Sequence, residues 1–345
     1  MSDLLTRSID RLADRYDLTE EEASAVLAEI MGGEVNDVQI AAFLIALRIK
    51  GETVEELAGL ARTMRALAAV VRTGREDLLD TAGTGGGRRT FNVSTTAALI
   101  AAAAGCAVAK HGSRSSTGLS GSADVLEALG ARIDLEPAAI AACIEQVGFG
   151  FMFAPYHHPA TRHVVDVRKQ LKVRTTFNFL GPLTNPAGAS RQLLGCSHPS
   201  QLPKLAGALR LLGTDHALVV CSEDGLDELS ISAATDVIEV VDGEARAYQL
   251  TPEAVGLPRH LPDHVPGGDP EQNAATLRAI FDGEPGAARD LAVFNAGAAI
   301  YAGGGAATLA DGVLAAQQAI DSGAAQATLD AFVAYTQEQA DGRPR

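Results

Sequence analysis

One stretch constrains the fold of this chain more than any other: residues 78–98, LLDTAGTGGGRRTFNVSTTAA. Leu78-Leu79-Asp80 is apolar enough to end a short buried strand. Gly83, Gly85, Gly86 and Gly87 then allow backbone turns that a Cβ would forbid. Asn92, Ser94, Thr95 and Thr96 offer caps to a helix that continues through alanines. A strand running into a glycine loop and then a helix start turns backbone N–H groups toward an anion, with the helix dipole in support. The spacing is neither GxxxxGK[ST] nor GxGxxG with an acid about 20 residues later, so the marks of an ATPase or Rossmann loop are missing. Four glycines could also make no more than a flexible turn. The Asn-Val-Ser-Thr that follows, and a second cluster downstream, favour the anion site.

The second cluster is residues 110–130, KHGSRSSTGLSGSADVLEALG, which follows the apolar run Ala107-Val108-Ala109 and precedes a helix. Lys110, His111 and Arg114 bring positive charge; Ser113, Ser115, Ser116, Thr117, Ser120 and Ser122 bring hydroxyls. Cations neutralise phosphate and hydroxyls bond its oxygens, although a polar surface loop with helix caps has the same composition. The third, residues 151–174, carries His157, His158, Arg162, His163, Arg168, Lys169, Lys172 and Arg174. Its cations could hold a carboxylate or make a solvated basic helix; His157 and His163 read as structural or exposed. The fourth, DGLDELS at 224–230, follows the strand-like Ala217–Cys221. Its adjacent Asp227 and Glu228 are hard oxygen ligands suited to Mg²⁺ beside phosphates. No HExxH, GxSxG or Cys/His set is present, so zinc and serine-hydrolase chemistry have nothing to stand on.

Around these motifs the chain changes texture once. Residues 2–72 read as helices only. Thr19 with Glu22 and Thr53 with Glu56 form capping boxes, Asn36 caps a helix that runs to Lys50, and the last helix reaches about Val71. Ile40, Phe43, Leu44 and Leu47 form one apolar stripe. From Leu78 onward short apolar runs, including Phe149–Phe153, alternate with helical segments, the pattern of an α/β unit with a mainly parallel sheet. Residues 160–175 read as a basic amphipathic helix, 235–262 as short strands and loops, 286–337 as helices, and the DGRPR tail as frayed.

Among 345 residues 47% are hydrophobic but only 4% aromatic, with no Trp, which suits Ala- and Gly-rich helices packed on a sheet. The net charge of −15 argues against general nucleic-acid affinity, which needs a basic face. Basic residues gather at 88–89, 110–114 and 162–174, so a basic pocket for a small anion in an acidic protein is expected, surface clustering being the other reading. The four cysteines lack CxxC spacing and read as buried thiols of a cytosolic protein. No apolar signal core and no long apolar window is present, so the expectation is a cytoplasmic protein with no membrane partner.

Taken in order, GTGG…TFNVST, KHG-R-S…GSADVLEALG, FAPYHHPA-R…VRKQLKVRTTFNFLGPLTNPA and DGLDELS resemble the anthranilate phosphoribosyltransferase family over nearly the whole chain. The resemblance implies a small all-helical domain plus a larger α/β domain with a central mainly parallel sheet. Here these would be 1–73, joined by helix 160–185, and 74–345. It also implies a homodimer through the helical domain and transfer of phosphoribose from phosphoribosyl pyrophosphate (PRPP) to anthranilate with Mg²⁺, in tryptophan biosynthesis. By correspondence Gly83, Gly86, Gly87, Thr90, Asn92, Ser94 and Thr95 bind PRPP from the first loop. Lys110, His111, Gly112, Ser113, Arg114 and Ser122 do so from the second. Ser94, Asp227 and Glu228 match the metal ligands. Gly83, Ser113, His158 and Arg168 match the acceptor site, with Arg168 on the carboxylate, and Lys110 and Arg168 as the catalytic residues.

Three departures stand out. The family's GTGGDG lacks its Asp here and runs one residue short into Gly87-Arg88-Arg89. KHGN is KHGS, and Ser113 is shorter than Asn. A Ser-Ser pair is replaced by Thr117-Gly118. A family member using another aromatic carboxylate, a pyrimidine-nucleoside phosphorylase that shares the wider fold, and a non-enzymatic nucleic-acid-binding relative remain as alternatives at this point.

Overall fold

The computed structural model describes residues 3–115 and 118–341. Ser116 and Thr117, counted above among the loop hydroxyls, and the end of the tail expected to fray lie outside it. Seven strands form one sheet: β1 Leu79–Gly83, β2 Val108–Gly112, β3 Phe149–Phe153, β4 Arg191–Gly195, β5 His216–Ser222, β6 Thr235–Val241 and β7 Glu244–Leu250. Their spatial order is β3-β2-β1-β4-β5-β6-β7. The first five pair in parallel, and β6 and β7 add an antiparallel edge. An Asp242-Gly243 turn with φ of 49° and 80° closes the β6–β7 hairpin, as two residues in the left-handed region do.

The chain moves outward from β1 to β3, then returns to lay β4 on the other side of β1. That reversal leaves a crevice beyond the carboxyl ends of β1 and β4, the place where open α/β sheets bind ligands. Side chains alternate across the sheet, as period two requires. Leu218 and Val220 of β5 enter one core with the helices Val93–Ala103, Ala287–Ala302 and Leu309–Asp321. Ala217, Val219 and Cys221 enter the opposite core, which is shared with the N-terminal helices and the helix Leu202–Leu211.

The N-terminal part is helical, as expected: Asp3–Ala13, Glu20–Gly32, Asp37–Lys50 and Val54–Ala66, with both capping boxes formed and Asn36 capping Gln39 N–H. The fourth helix stops at Ala66 rather than near Val71. Beyond it Ala69 N–H donates to His157 O and Val71 N–H to Pro186 O, so tertiary partners replace the helical ladder. Strand β1 continues past Asp80 because its pairing with β4 holds through Gly83 opposite Gly195. The basic segment is a helix only over Arg162–Leu171, since Pro159 opens a 3₁₀ turn and Lys172 takes φ 54°. The connection 160–185 is therefore a series of short pieces, of which Arg162–Leu171 packs on Glu20–Gly32 and Asp37–Lys50.

Helices Ala287–Ala302 and Leu309–Asp321 pack closely through two glycines. A Cβ on Gly297 would lie 2.6 Å from Val313 N, and one on Gly312 would overlap Gly297 O. Gly312→Ala should force these helices apart and cost about 1–3 kcal/mol, as overpacking does. Urea unfolding measures that loss.

Candidate active site

A cleft of about 510 Å³ opens at the reversal point, walled by the loops after β1 and β2, by Asp227 and Glu228, and by Gly267, Gly268 and Asn273. The two loops singled out in the sequence thus meet, and the acidic pair faces both. Gly83, Gly86, Gly87, Thr90, Asn92, Ser94, Lys110, His111, Gly112, Ser113, Arg114 and Ser122 line the cleft. Thr95 does not: it is fully buried, with its hydroxyl unpartnered. Arg168 and His158 also lie outside the cleft wall.

The glycine loop is clamped from two sides. Gly85 (φ 65°) donates its N–H to Asp227 Oδ2 at 2.8 Å. Gly86 (φ 84°) takes a left-handed conformation that favours glycine, and a Cβ there would push on the Arg174 guanidinium. Arg174 donates to Gly85 O at 3.2 Å and stacks on Phe179 at 5.7 Å. In the shortened segment Arg88 donates from its main chain to Gly225 O (2.8 Å). Its guanidinium donates to Pro262 O (2.8 Å) and to Asp224 Oδ2 (3.2 Å). The extra arginine ties the loop to the turn that carries the acidic pair.

Asn92 precedes the helix Val93–Ala103 but makes no cap bond. Its side chain turns sideways, donating to Ser120 O at 3.2 Å and accepting from Ser120 Oγ at 2.9 Å and from Asn273 Nδ2 at 2.8 Å. Arg114 is likewise engaged within the protein, paired with Asp124 and Glu127 and lying over Phe153 at 5.6 Å.

Lys110 is 1% exposed. Its Nζ donates to Thr81 O at 2.6 Å, to Thr81 Oγ1 at 3.3 Å and to Ser94 Oγ at 3.4 Å. Burial pushes this ammonium down from its ordinary value, while Asp80 and Glu228 oppose the shift. Asp80, also buried, accepts from His111 N–H (3.0 Å) and from Asn185 Nδ2 (2.8 Å). Burial raises the Asp227 carboxyl, opposed by its hydrogen bonds and by Arg174. Glu228 is raised well above the usual carboxylate range, first by burial and then by Asp227, although Lys110 and Ser94 N–H favour its charge. Two crowded carboxylates beside a hydroxyl are hard oxygen donors short of positive charge, which suits a divalent cation such as Mg²⁺. Among the described residues no cluster of three His, Cys, Asp or Glu is present that could hold a metal unaided.

His111, on the cleft wall, meets His158 behind it edge to face at 5.1 Å. His111 Nδ1 bonds Gly181 O at 3.2 Å, and the Nε2 atoms of both rings are buried without a partner. Burial lowers His111 to about 3 and His158 to about 4, so both are neutral at pH 7. Arg168 is half-buried, and its guanidinium is stacked on Phe177 at 5.3 Å with no hydrogen bond or ion pair among the described residues. Asn273, Gly267, Gly268 and the clamping role of Arg174 escape a reading of the sequence. Residues 266–273 show only turn signals and a cap, nothing that points to a distant loop.

The α/β-domain model of the glycosyl transferase family matches residues 75–326, and the family's helical-bundle model matches residues 6–68. An anthranilate phosphoribosyltransferase from Anaeromyxobacter sp. (strain Fw109-5) is 49% identical over 334 residues, 96% of this chain and 99% of the relative. The crystal structure of anthranilate phosphoribosyltransferase from Thermus thermophilus is 46% identical, with a TM-score of 0.91 over 96% of this chain and 99% of that one. The enzyme from Saccharomyces cerevisiae in complex with PRPP and Mg is 27% identical, with a TM-score of 0.89 over 98% of this chain and 99% of that one.

The two depressed histidines set a pH dependence. Between pH 6.5 and their folded values the unfolded chain binds protons that the folded chain does not, so stability falls as pH falls through that window. Going from about pH 7 to about pH 5, the native protein should lose about 1–2 kcal/mol more than His111→Gln. Urea unfolding of both at each pH measures the difference.

Proposed function

This chain belongs to the anthranilate phosphoribosyltransferase family of glycosyl transferases, and from that premise we propose how its cleft divides the work. The reaction transfers phosphoribose from PRPP to anthranilate and releases pyrophosphate, in tryptophan biosynthesis. The convergence of two strand-end loops and an acidic pair in one cleft carries the assignment of residues.

PRPP lies across the loop amides of Gly83, Gly86 and Gly87, with Thr90, Asn92, Gly112, Ser113 and Ser122 around it. The N-terminus of the helix Val93–Ala103 is aimed at its phosphates. Asp227, Glu228 and the Ser94 hydroxyl would hold Mg²⁺. When bound, the ion stabilises the charge that develops on pyrophosphate as the C1–O bond breaks. Lys110 lines the cleft with its ammonium on Ser94 and offsetting Glu228, and with the loop amides stabilises the leaving pyrophosphate.

Anthranilate places its carboxylate on Arg168, whose guanidinium has no competing partner among the described residues, and its ring near His158 and His111. The neutral imidazoles leave Arg168 as the charge that selects an acid. An arylamine is unprotonated at neutral pH, so no strong base is required, and positioning near C1 does most of the rest.

We assign residues 1–73, with the pieces of 160–185, to the helical domain and 74–345 to the α/β domain. Val38 (77% exposed) and Ile49 (67% exposed) lie on one face of the helix Asp37–Lys50 and support a homodimer through that domain. Four free, buried cysteines support a cytoplasmic setting. Among the described residues no helix is long and apolar enough to cross a membrane.

Pyrophosphate release from PRPP and Mg²⁺ should require anthranilate and should not require inorganic phosphate, whose involvement would mark a phosphorylase. Asp227→Asn with Glu228→Gln should lower that Mg²⁺-dependent turnover by ~10²-fold or more without lowering the melting temperature. Arg168→Gln should raise the KM for anthranilate roughly 10–100-fold, the worth of a charged hydrogen bond, and leave the KM for PRPP within about twofold; equal rises in both constants would remove Arg168 from the acceptor site.

A further inference from the structure

The side chain of Asn273 is 3% exposed and belongs to the helix Pro270–Phe281, 181 residues from Asn92. It ends a chain of hydrogen bonds whose direction is fixed at both ends by the main chain. Gly268 N–H can only donate, and it donates to Asn273 Oδ1 at 2.9 Å. Asn273 Nδ2 must therefore face Asn92, where it donates to Oδ1 at 2.8 Å. Ser120 O can only accept, and it receives Asn92 Nδ2–H at 3.2 Å. An amide can be turned end over end with little change of shape, but here both are locked in one sense. The Asn92 oxygen is filled twice, by Asn273 and by the Ser120 hydroxyl. Its second N–H has no partner among the described residues, and Asn92 lines the cleft.

We infer that Asn273 is a positioning residue for the donor substrate: it holds the Asn92 amide so that an N–H, not an oxygen, meets a phosphate of PRPP. The same short segment fits tightly beside the loop, since a Cβ on Gly267 would lie 2.6 Å from Thr90 O. The C-terminal part of the chain thereby sets the polarity of a loop far from it in sequence. The inference rests on the reading of the cleft as a PRPP site.

The test is Asn273→Asp, which keeps the shape and the bond to Gly268 N–H and replaces only the donor that faces Asn92. The carboxylate then draws the Asn92 NH₂ toward itself at the expense of its bond to Ser120 O, turning the Asn92 oxygen toward the phosphate. Titration with PRPP and Mg²⁺ should show affinity reduced roughly 10-fold or more, the loss of one hydrogen bond to a charged group, with the KM for anthranilate within about twofold and the melting temperature within a few degrees. Placed in an Asn92→Ala background, the same substitution should change PRPP affinity less than about twofold. A merely structural or electrostatic role would give the full loss in both backgrounds and would overturn the inference. Asn273→Ser, which drops the carboxylate, should show a smaller loss in the same direction if the Asp variant does not fold. Unchanged PRPP affinity in Asn273→Asp overturns the inference alone; failure of the native protein to bind PRPP overturns both it and the reading of the cleft.

Discussion

Everything at the carboxyl end of the sheet depends on how closely one loop can approach two strand ends. Gly83 and Gly195 face each other in register at the ends of β1 and β4. A Cβ on Gly195 would overlap the main-chain carbonyl of Asp227, and one on Gly83 would lie 2.7 Å from its Oδ2. Two missing side chains let the segment 224–228 settle directly over the reversal point, so the acidic pair reaches the crevice rather than the protein surface. Thr84 N–H donates to Gly195 O at 2.9 Å, and Ser197 Oγ to Gly85 O at 2.9 Å. The floor is therefore tied together before any ligand arrives.

The electrostatic arrangement follows from that approach. An acidic chain has gathered its active cations at depth, where screening is weak. Lys110 stands between Asp80 on one side and Ser94 and Glu228 on the other, and both carboxylates oppose the fall that burial imposes on it. Arg174 performs the matching task for the glycine loop, bonded to its carbonyls and near Asp227. Repulsion between Asp227 and Glu228 is thus left for a cation to relieve, while His111 and His158 nearby carry no charge at neutral pH.

How much of this is legible in the sequence varies with the range of the interaction. Thr19 with Glu22 and Thr53 with Glu56 act within one turn, so their capping boxes are readable and are present. The strand–glycine–helix pattern at 78–98 is equally local, as are the second loop and DGLDELS. Local spacing misplaces the end of the fourth helix because Ala69 and Val71 bond to His157 and Pro186, partners far along the chain. Asn92 reads as a cap because Asn often is one; Ser120 and Asn273 compete for its amide and win. Lys110 reads as one of the cations of the second loop, and it does line the cleft. Its depth depends on β1 and β3 flanking β2, which no local spacing reveals.

The helical N-terminus has no private interior. Leu57 and Leu60 share one apolar cluster with Leu205 and Leu209 of a later helix and with Leu194, Val219 and Val240 of the sheet. Bundle and sheet are therefore halves of a single oil-filled joint, and neither can be exchanged as a cassette along its sequence boundary. A chimaera that borrowed the bundle from a distant relative would also have to import the helix Leu202–Leu211 and the strand side chains beneath it, or leave voids through the middle of the molecule.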